Sequence, residues 1–319
     1  MKEFWKEVRM AAIMGFLVPG LLLWFGTALL DISKEEHPPE PTQSKPLVSG
    51  VEVPVRTEEA VENQFLEEYL IGVVLAEMPA SFEAEALKAQ AVVARTYTMR
   101  TTQTGGKHGD GSICTAPACC QAYIAPDTYL ARGGTEAAVE KIRNAVEDTR
   151  GQVLVYEGEL IEATYFSCSG GSTEDAVAVW GSDYPYLQAV DSPGEEHAAH
   201  YTDTVTFSRE QFLDALGEVL TGSPESWFGA VTYTDGGGVD TMVIGDKTYK
   251  GTELRRLLSL RSTAFSVTAG EEIIITTRGF GHRVGMSQYG ADAMALNGST
   301  YPQILAHYYP GTALSMLEN

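Results

Sequence analysis

The chain is poor in cysteine, with four residues in 319: Cys114, Cys119, Cys120 and Cys168. That is too few for the disulfide framework of a small secreted scaffold. Three of them fall within one short stretch, which points to local chemistry. Basic side chains are also scarce. Lys and Arg total 22 against 43 Asp and Glu, a formal charge of −21. Such a balance argues against nucleic acid as a partner and against docking on anionic lipid through a basic face. Internal repeats are absent, and so are the G-x-S-x-G nucleophile elbow and the H-E-x-x-H metal motif. Glu195-Glu196-His197-Ala198-Ala199-His200 has the wrong order for that motif and reads as a solvated loop. Gly279-Phe280-Gly281-His282-Arg283-Val284 fails the dinucleotide pattern, because Val284 stands where the third glycine belongs.

Hydrophobic residues make up 44% of the chain, enough to bury a sizeable core as one large domain or two intimate ones. Met10 to Leu30 carries no charge, and about 21 residues at about 1.5 Å each span a bilayer core of about 30 Å. Lys2, Lys6 and Arg9 precede this run, and Asp31, Glu35 and Glu36 follow it. The expectation is therefore a cytoplasmic segment at 1–9 and an uncleaved single-span anchor at 10–30, with a cleaved signal peptide as the rival. A Pro-rich extracytoplasmic linker follows at 31–60, then an extracytoplasmic domain at 61–319. Residues 195–270 read as a subdomain inserted into it.

Leu66 to Arg100 predicts two helices meeting at a corner. Leu66, Tyr69, Leu70, Val73 and Val74 repeat with helical spacing as one apolar stripe. Pro79 disfavours helical geometry at Met78, so the first helix ends there, leaving Glu77 at the corner. Ser81 is the expected cap of an alanine-rich second helix. Further on, helices are expected at Thr135–Glu147, Ser208–Leu220 and Thr252–Leu260, near Ser287, and around Ile304–Tyr308. A hairpin is expected between Gln152–Tyr156 and Leu160–Phe166, with later strands at Tyr201–Phe207, Ala264–Thr268 and Glu272–Thr277. The class is α+β, helices mixed with short antiparallel strands.

His108, Cys114 and Cys120 recur at intervals of six residues. Two thiolates and an imidazole suit Zn²⁺, which in catalytic sites often takes three protein ligands and keeps an open position. Free thiols, or a disulfide from Cys114 to Cys119 or Cys120, are alternatives, with Cys119 an unused or alternative ligand. Cys168 reads as a small core residue.

Three long blocks resemble one family in the same order. They are AEMPASFEAEALKAQAVVARTY (from Ala76), YFSCSGGSTEDAVAVWGSDYPYLQAVDSPGE (from Tyr165) and RGFGHRVGMSQYGADAMALNGSTYPQILAHYYPGT (from Arg278). They are similar to the stage II sporulation protein D family of endospore-forming bacteria, and the resemblance spans about Leu66 to Thr312. It implies a membrane-anchored lytic transglycosylase acting on peptidoglycan glycan strands stripped of stem peptides. The implied catalytic acid/base is Glu77. The implied partners are the amidase stage II sporulation protein P and the membrane protein stage II sporulation protein M. The implied location is the septal intermembrane space. The same family includes amidase enhancers, so a glycan-binding module is the alternative. A partly anionic wall polymer calls for local cations, and Lys88 and Arg95, seven apart on one helix face, are candidates. Tyr165, Ser167, Ser169, His282, Gln288 and Tyr289 are expected sugar contacts. Arg283 stands where the family usually has glycine, a departure that alters the loop or adds a cation to the groove.

Overall fold

Two helices meet at Pro79: α1 (Leu66–Glu77) and α2 (Ala84–Gln103). The structure is a computed structural model describing residues 50–317. The expected anchor at 10–30 and most of the linker lie outside the described residues. Among the described residues, no helix is long and apolar enough to cross a membrane. The expected stripe on α1 is wider than the spacing implies. Leu66, Tyr69, Leu70, Ile71, Val73 and Val74 are all fully enclosed, so the helix is buried on nearly every side. It ends where Pro79 requires, with Met78 in extended geometry and its N–H closing on the Val74 carbonyl. Ser81 does not cap α2. The helix opens two residues later, at Ala84, and the Glu83 N–H before it donates to Asp292 at 2.7 Å. A distant carboxylate thus satisfies a donor that the helix start leaves without a partner.

Helix α2 is the axis of the larger core. Ala86, Ala89, Ala91 and Ala94 are wholly buried, and their small side chains let neighbouring backbones approach. Behind it come α3 (Pro126–Ala131) and α4 (Glu136–Asp148), the latter capped by Thr135. The short α5 (Ala176–Trp180) follows, and α8 (Gln288–Leu296) and α9 (Tyr301–Tyr308) complete the layer after a second core that contains α6 (Arg209–Leu216) and α7 (Gly251–Leu257). Helices α1, α4, α8 and α9 and the strand Gln152–Tyr156 all pack on α2.

Arg95 belongs to this core. It is fully buried, clasps Glu67 of α1 with two nitrogens (3.1 and 2.6 Å), and also donates to the carbonyls of Val146 and Gln152. The expectation of a groove cation at Arg95 is therefore corrected. A guanidinium fully bonded inside the core has no donor left for a ligand.

The strands depart from an all-antiparallel set. Gln152–Tyr156 pairs with Glu159–Leu160 and with Ala313–Met316, and the expected hairpin stops there. Tyr165–Phe166 instead runs parallel to Met286–Ser287. Glu52–Arg56, inside the stretch expected as linker, pairs antiparallel with Val61–Phe65 and parallel with Ile113–Cys114. These two parallel pairs bring Tyr165 beside α8 and anchor the cysteine loop.

Residues 202–278 build a second core around Phe212, Trp227, Ile244, Leu254 and Ile275. It holds α6 (Arg209–Leu216) and α7 (Gly251–Leu257). Helix α6 starts on a Ser208–Gln211 capping box and stops at Gly217, whose φ of 68° only glycine adopts freely. Two three-stranded antiparallel sheets complete this part.

Candidate active site

Glu77 is the last residue of α1, and its carboxylate accepts the Ala122 N–H at 2.7 Å. The loop carrying Ala122 is locked to α1 at Gly72. Ile124 N–H donates to the Gly72 carbonyl at 3.1 Å, and Tyr123 stacks on Tyr69 at 5.5 Å. A Cβ on Gly72 would sit 2.2 Å from the Tyr123 ring, so glycine is needed for this close approach. Burial raises the pKa of Glu77 above the usual carboxylate range. The Ala122 amide, Gln288 and Tyr165 oppose the shift without cancelling it. Neither Lys88 nor Arg95 acts on the carboxyl.

Glu77 opens into a cleft of about 720 Å³ that Tyr165, Ser167 and His282 also line, with Tyr97, Phe166, Trp180, Tyr184 and Phe280 as aromatic walls. Trp180 is 42% exposed, a large apolar face free to meet a ligand. The Tyr165 hydroxyl donates to Gln121 at 3.0 Å, and the Gln121 amide donates to Thr98 at 2.8 Å, which orients the phenol beside Glu77. Gln288, first in α8, is buried with its side chain close enough to Glu77 to favour the carboxylate, but no hydrogen bond of normal geometry completes its amide nitrogen. A buried donor left open beside the acid is costly unless a ligand or water completes it. Val284 N–H donates to His282 Nδ1 at 3.1 Å, a bond that requires that nitrogen to be bare. Burial above all, then the charge on Arg255, push the His282 pKa down to about 4, so the ring is neutral at physiological pH.

His108, Cys114, Cys119 and Cys120 bring their ligand atoms within 4.8 Å of one another at the cleft edge. Cys119 and Cys120 Sγ lie 3.9 Å apart, and each is 3.8 Å from His108 Nε2. A tetrahedral zinc with metal–sulfur bonds of about 2.3 Å needs sulfurs about 3.8 Å apart. The four residues fit that group. Burial pushes the Cys114 thiol up, but the Ala116 amide and the side chains of His108, Cys119 and Cys120 outweigh it and bring it down to about 6. Burial raises Cys120 to about 12.

Several expected site residues lie elsewhere. Lys88 bonds Glu85 and Asp148 at 3.1 and 3.0 Å, a tie between α2 and the end of α4. Ser169 is fully buried, and both its N–H and hydroxyl are committed to Glu195. Glu195 itself is buried, not solvated. It also takes bonds from Gly170 and Cys168, so its carboxylate organises the Ser-Gly-Gly turn. Tyr289 lies off the cleft, edge-on to Phe82 at 4.9 Å.

Arg283 does not place a cation in the groove. Its guanidinium is buried against Glu174 at 2.9 Å and the carbonyls of Ser169, Ser172 and Gly236, each at 2.7 Å. Its φ of 67° explains why glycine suits that position.

Sequence reasoning missed Cys119 as a full member of the thiol cluster, and also Lys107, Glu162 and Trp180 on the cleft walls. Cys119 was visible as a neighbour of Cys120. Nothing in local pattern pointed to the other three.

The fold and site define an α+β domain with a half-buried acid, Glu77, at the end of a helix in an aromatic cleft, edged by a thiol–imidazole cluster. The family model described as Stage II sporulation protein matches residues 56–156. Stage II sporulation protein D of Bacillus subtilis (strain 168) is 44% identical over 275 residues, covering 84% of this chain and 80% of that protein. Its counterpart from Bacillus amyloliquefaciens is 42% identical over 290 residues, covering 88% and 83%. An amidase enhancer of Bacillus subtilis (strain 168) is 33% identical over 307 residues, covering 77% of this chain and 40% of that protein. The chain belongs to the stage II sporulation protein D family.

Proposed function

We propose that this sporulation protein is a lytic transglycosylase that cuts peptidoglycan glycan strands, with Glu77 as the single acid and base. The carrying observation is Glu77 itself, half-buried, its pKa raised by burial, and facing an open cleft with aromatic walls. Ordinary glycosidases use two carboxyl groups. Glu162, also on the cleft wall, is held by Arg100 at 3.0 Å. One group suffices if the sugar supplies its own nucleophile. Glu77 gives its proton to the glycosidic oxygen as the C1–O bond breaks. Its carboxylate then takes the proton of the muramic acid C6 hydroxyl, whose oxygen bonds to C1. The product is a 1,6-anhydro end, and no water is consumed. Tyr165, Ser167, His282 and the open Gln288 amide are the proposed sugar contacts.

His108, Cys114, Cys119 and Cys120 are the proposed zinc ligands. With four protein ligands the ion would be structural, holding the loop that gives Glu77 its Ala122 bond. Residues 10–30 are the proposed anchor, and stage II sporulation proteins P and M the proposed partners.

The test is mass spectrometry of products from peptide-stripped strands treated with the full chain or its Glu77→Gln variant. Anhydro ends from the parent alone are expected, and removal of a general acid costs about 10²–10⁴-fold in rate. Anhydro ends formed at full rate by the variant would overturn the assignment. The kinship with an amidase enhancer favours a second reading, a glycan-binding module. Folded protein that binds strands without cutting them would support that reading.

A further inference from the structure

A chain of three hydrogen bonds fixes the direction of a hydroxyl beside Glu77. Thr98, on α2, is fully buried and donates its hydroxyl proton to the Ala94 carbonyl at 2.8 Å. Its oxygen is therefore the acceptor for the Gln121 amide nitrogen, also at 2.8 Å. With that nitrogen held on Thr98, the buried Gln121 side chain turns its carbonyl to Tyr165. A carbonyl only accepts, so the Tyr165 hydroxyl at 3.0 Å must be the donor. Its proton is committed to Gln121, and the lone pairs of the same oxygen are left for another donor. Glu77 is held on the very next residue, by the Ala122 N–H at 2.7 Å, and lines the cleft together with Tyr165. Carboxyl and phenol meet over one dipeptide, Gln121-Ala122. The Tyr69 hydroxyl is buried beside Gln121 with no hydrogen bond of normal geometry, a second donor in reserve for the Gln121 carbonyl.

We infer that Gln121 and Tyr165 are positioning residues for Glu77, the phenol offering a lone pair to the protonated acid and its O–H to the carboxylate. The inference rests on reading Glu77 as acid and then base. In the first half Glu77 carries the proton and donates to the Tyr165 oxygen, while Tyr165 donates to Gln121. Once that proton has gone to the glycosidic oxygen, the carboxylate is a stronger acceptor than an amide carbonyl. The phenol hydrogen swings to it by rotation about one C–O bond, and Tyr69 takes its place at Gln121. When the C6 hydroxyl returns a proton to Glu77, the chain reverts. No proton leaves Tyr165 in either half; only the direction of hydrogen bonds changes. A single carboxyl with two roles needs a partner suited to both of its states, and a hydroxyl anchored on an acceptor supplies one. The Tyr165 ring stays free to line the sugar site. Lys107, Cys119, Cys120, Glu162 and His282 also line the cleft. The influences on the Glu77 proton, however, are burial, the Ala122 amide, Gln288 and Tyr165.

The experiment follows the Glu77 proton through stability, so it does not depend on cutting. Urea midpoints of the full chain are measured across pH for each variant and for the same variant carrying Glu77→Gln. The pH at which their difference levels off on the alkaline side marks the folded pKa of Glu77. Chains are compared at equal metal content, because Gln121 adjoins Cys120. Tyr165→Phe removes the donor to the carboxylate and should raise that pH. Gln121→Leu leaves the phenol O–H on Glu77 throughout and should lower it, by about one pH unit. Thr98→Val releases the Gln121 amide to turn over and should lower it too, which keeps the test open if Gln121→Leu does not fold. In Tyr165→Phe/Gln121→Leu the lowering should vanish, because no hydroxyl remains to redirect. Gln121→Leu and Thr98→Val that leave the pH in place, or raise it as Tyr165→Phe does, would overturn the inference. Anhydro ends from the parent without these shifts would sink the positioning role alone. The shifts without anhydro ends would sink the cutting and keep the hydrogen-bond chain.

Discussion

The Glu77 carboxylate and the Ala122 N–H meet at 2.7 Å across 45 residues of chain. This bond joins the end of α1 to the loop that also presents Cys119 and Cys120, and so couples the acid to the thiol cluster. Ala122 stabilises the charged form of Glu77 and burial disfavours it. Burial is the larger effect.

The first consequence is a pH profile. A general acid works while it holds its proton, so the rate should fall as pH rises through the elevated pKa of Glu77. That descending limb should lie above the usual carboxylate range of about 4.3. The same shift carries a stability term. Its contribution is fully present below the unfolded carboxyl pKa and is lost as pH rises through the folded one. Glu77→Gln should flatten this part of the stability curve, read from urea midpoints across pH.

Arg95→Met tests the correction made at that residue. It leaves the Glu67 carboxylate buried without a counter-charge, and breaking such a pair costs about 3–5 kcal/mol. Urea unfolding should show a loss of that order. Binding to glycan, measured per folded molecule at low denaturant, should not change. A selective loss of binding with full stability would return Arg95 to the groove.

The thiol cluster predicts bound zinc in metal analysis of protein purified without chelator. Removing the ion should lower the melting temperature, because binding to a preformed site stabilises the folded state. Cys119→Ser should weaken retention as Cys114→Ser does, since the geometry includes both. Full retention in Cys119→Ser would reduce the set to His108, Cys114 and Cys120. Full activity after verified removal would exclude a zinc-dependent reaction.

At Arg283 two effects compete. Replacing it with glycine relieves a left-handed backbone worth about 1–2 kcal/mol. It also strands the buried Glu174 carboxylate, at about 3–5 kcal/mol. Arg283→Gly should therefore destabilise on balance, despite the better backbone. A raised urea midpoint would show that the ion pair contributes less than the strain.

Much of this protein was legible before its structure was known. The helix corner followed from the spacing of Leu66 to Val74 and the restriction Pro79 places on Met78. The Ser208 cap, the Thr135 helix and the strand at Gln152–Tyr156 followed from equally local rules. What failed were judgements about where a charged side chain ends up. Arg95 and Lys88 share a helix face, yet one is sealed in the core and the other ties two helices together. Glu195 looks solvated in a polar run, yet it accepts bonds from Ser169, Gly170 and Cys168 in the interior.

The sequence by itself determined the elements, because backbone sterics and apolar periodicity act within a few residues. Its three long blocks also determined the family, and with it the choice of Glu77. Only the tertiary structure decided which polar groups reach the cleft. Partners for Arg95, Glu195 and Arg283 come from segments distant in the chain, and burial and pairing are properties of those partners together. The same cause made Cys119 part of a cluster and put Lys107, Glu162 and Trp180 on the cleft wall.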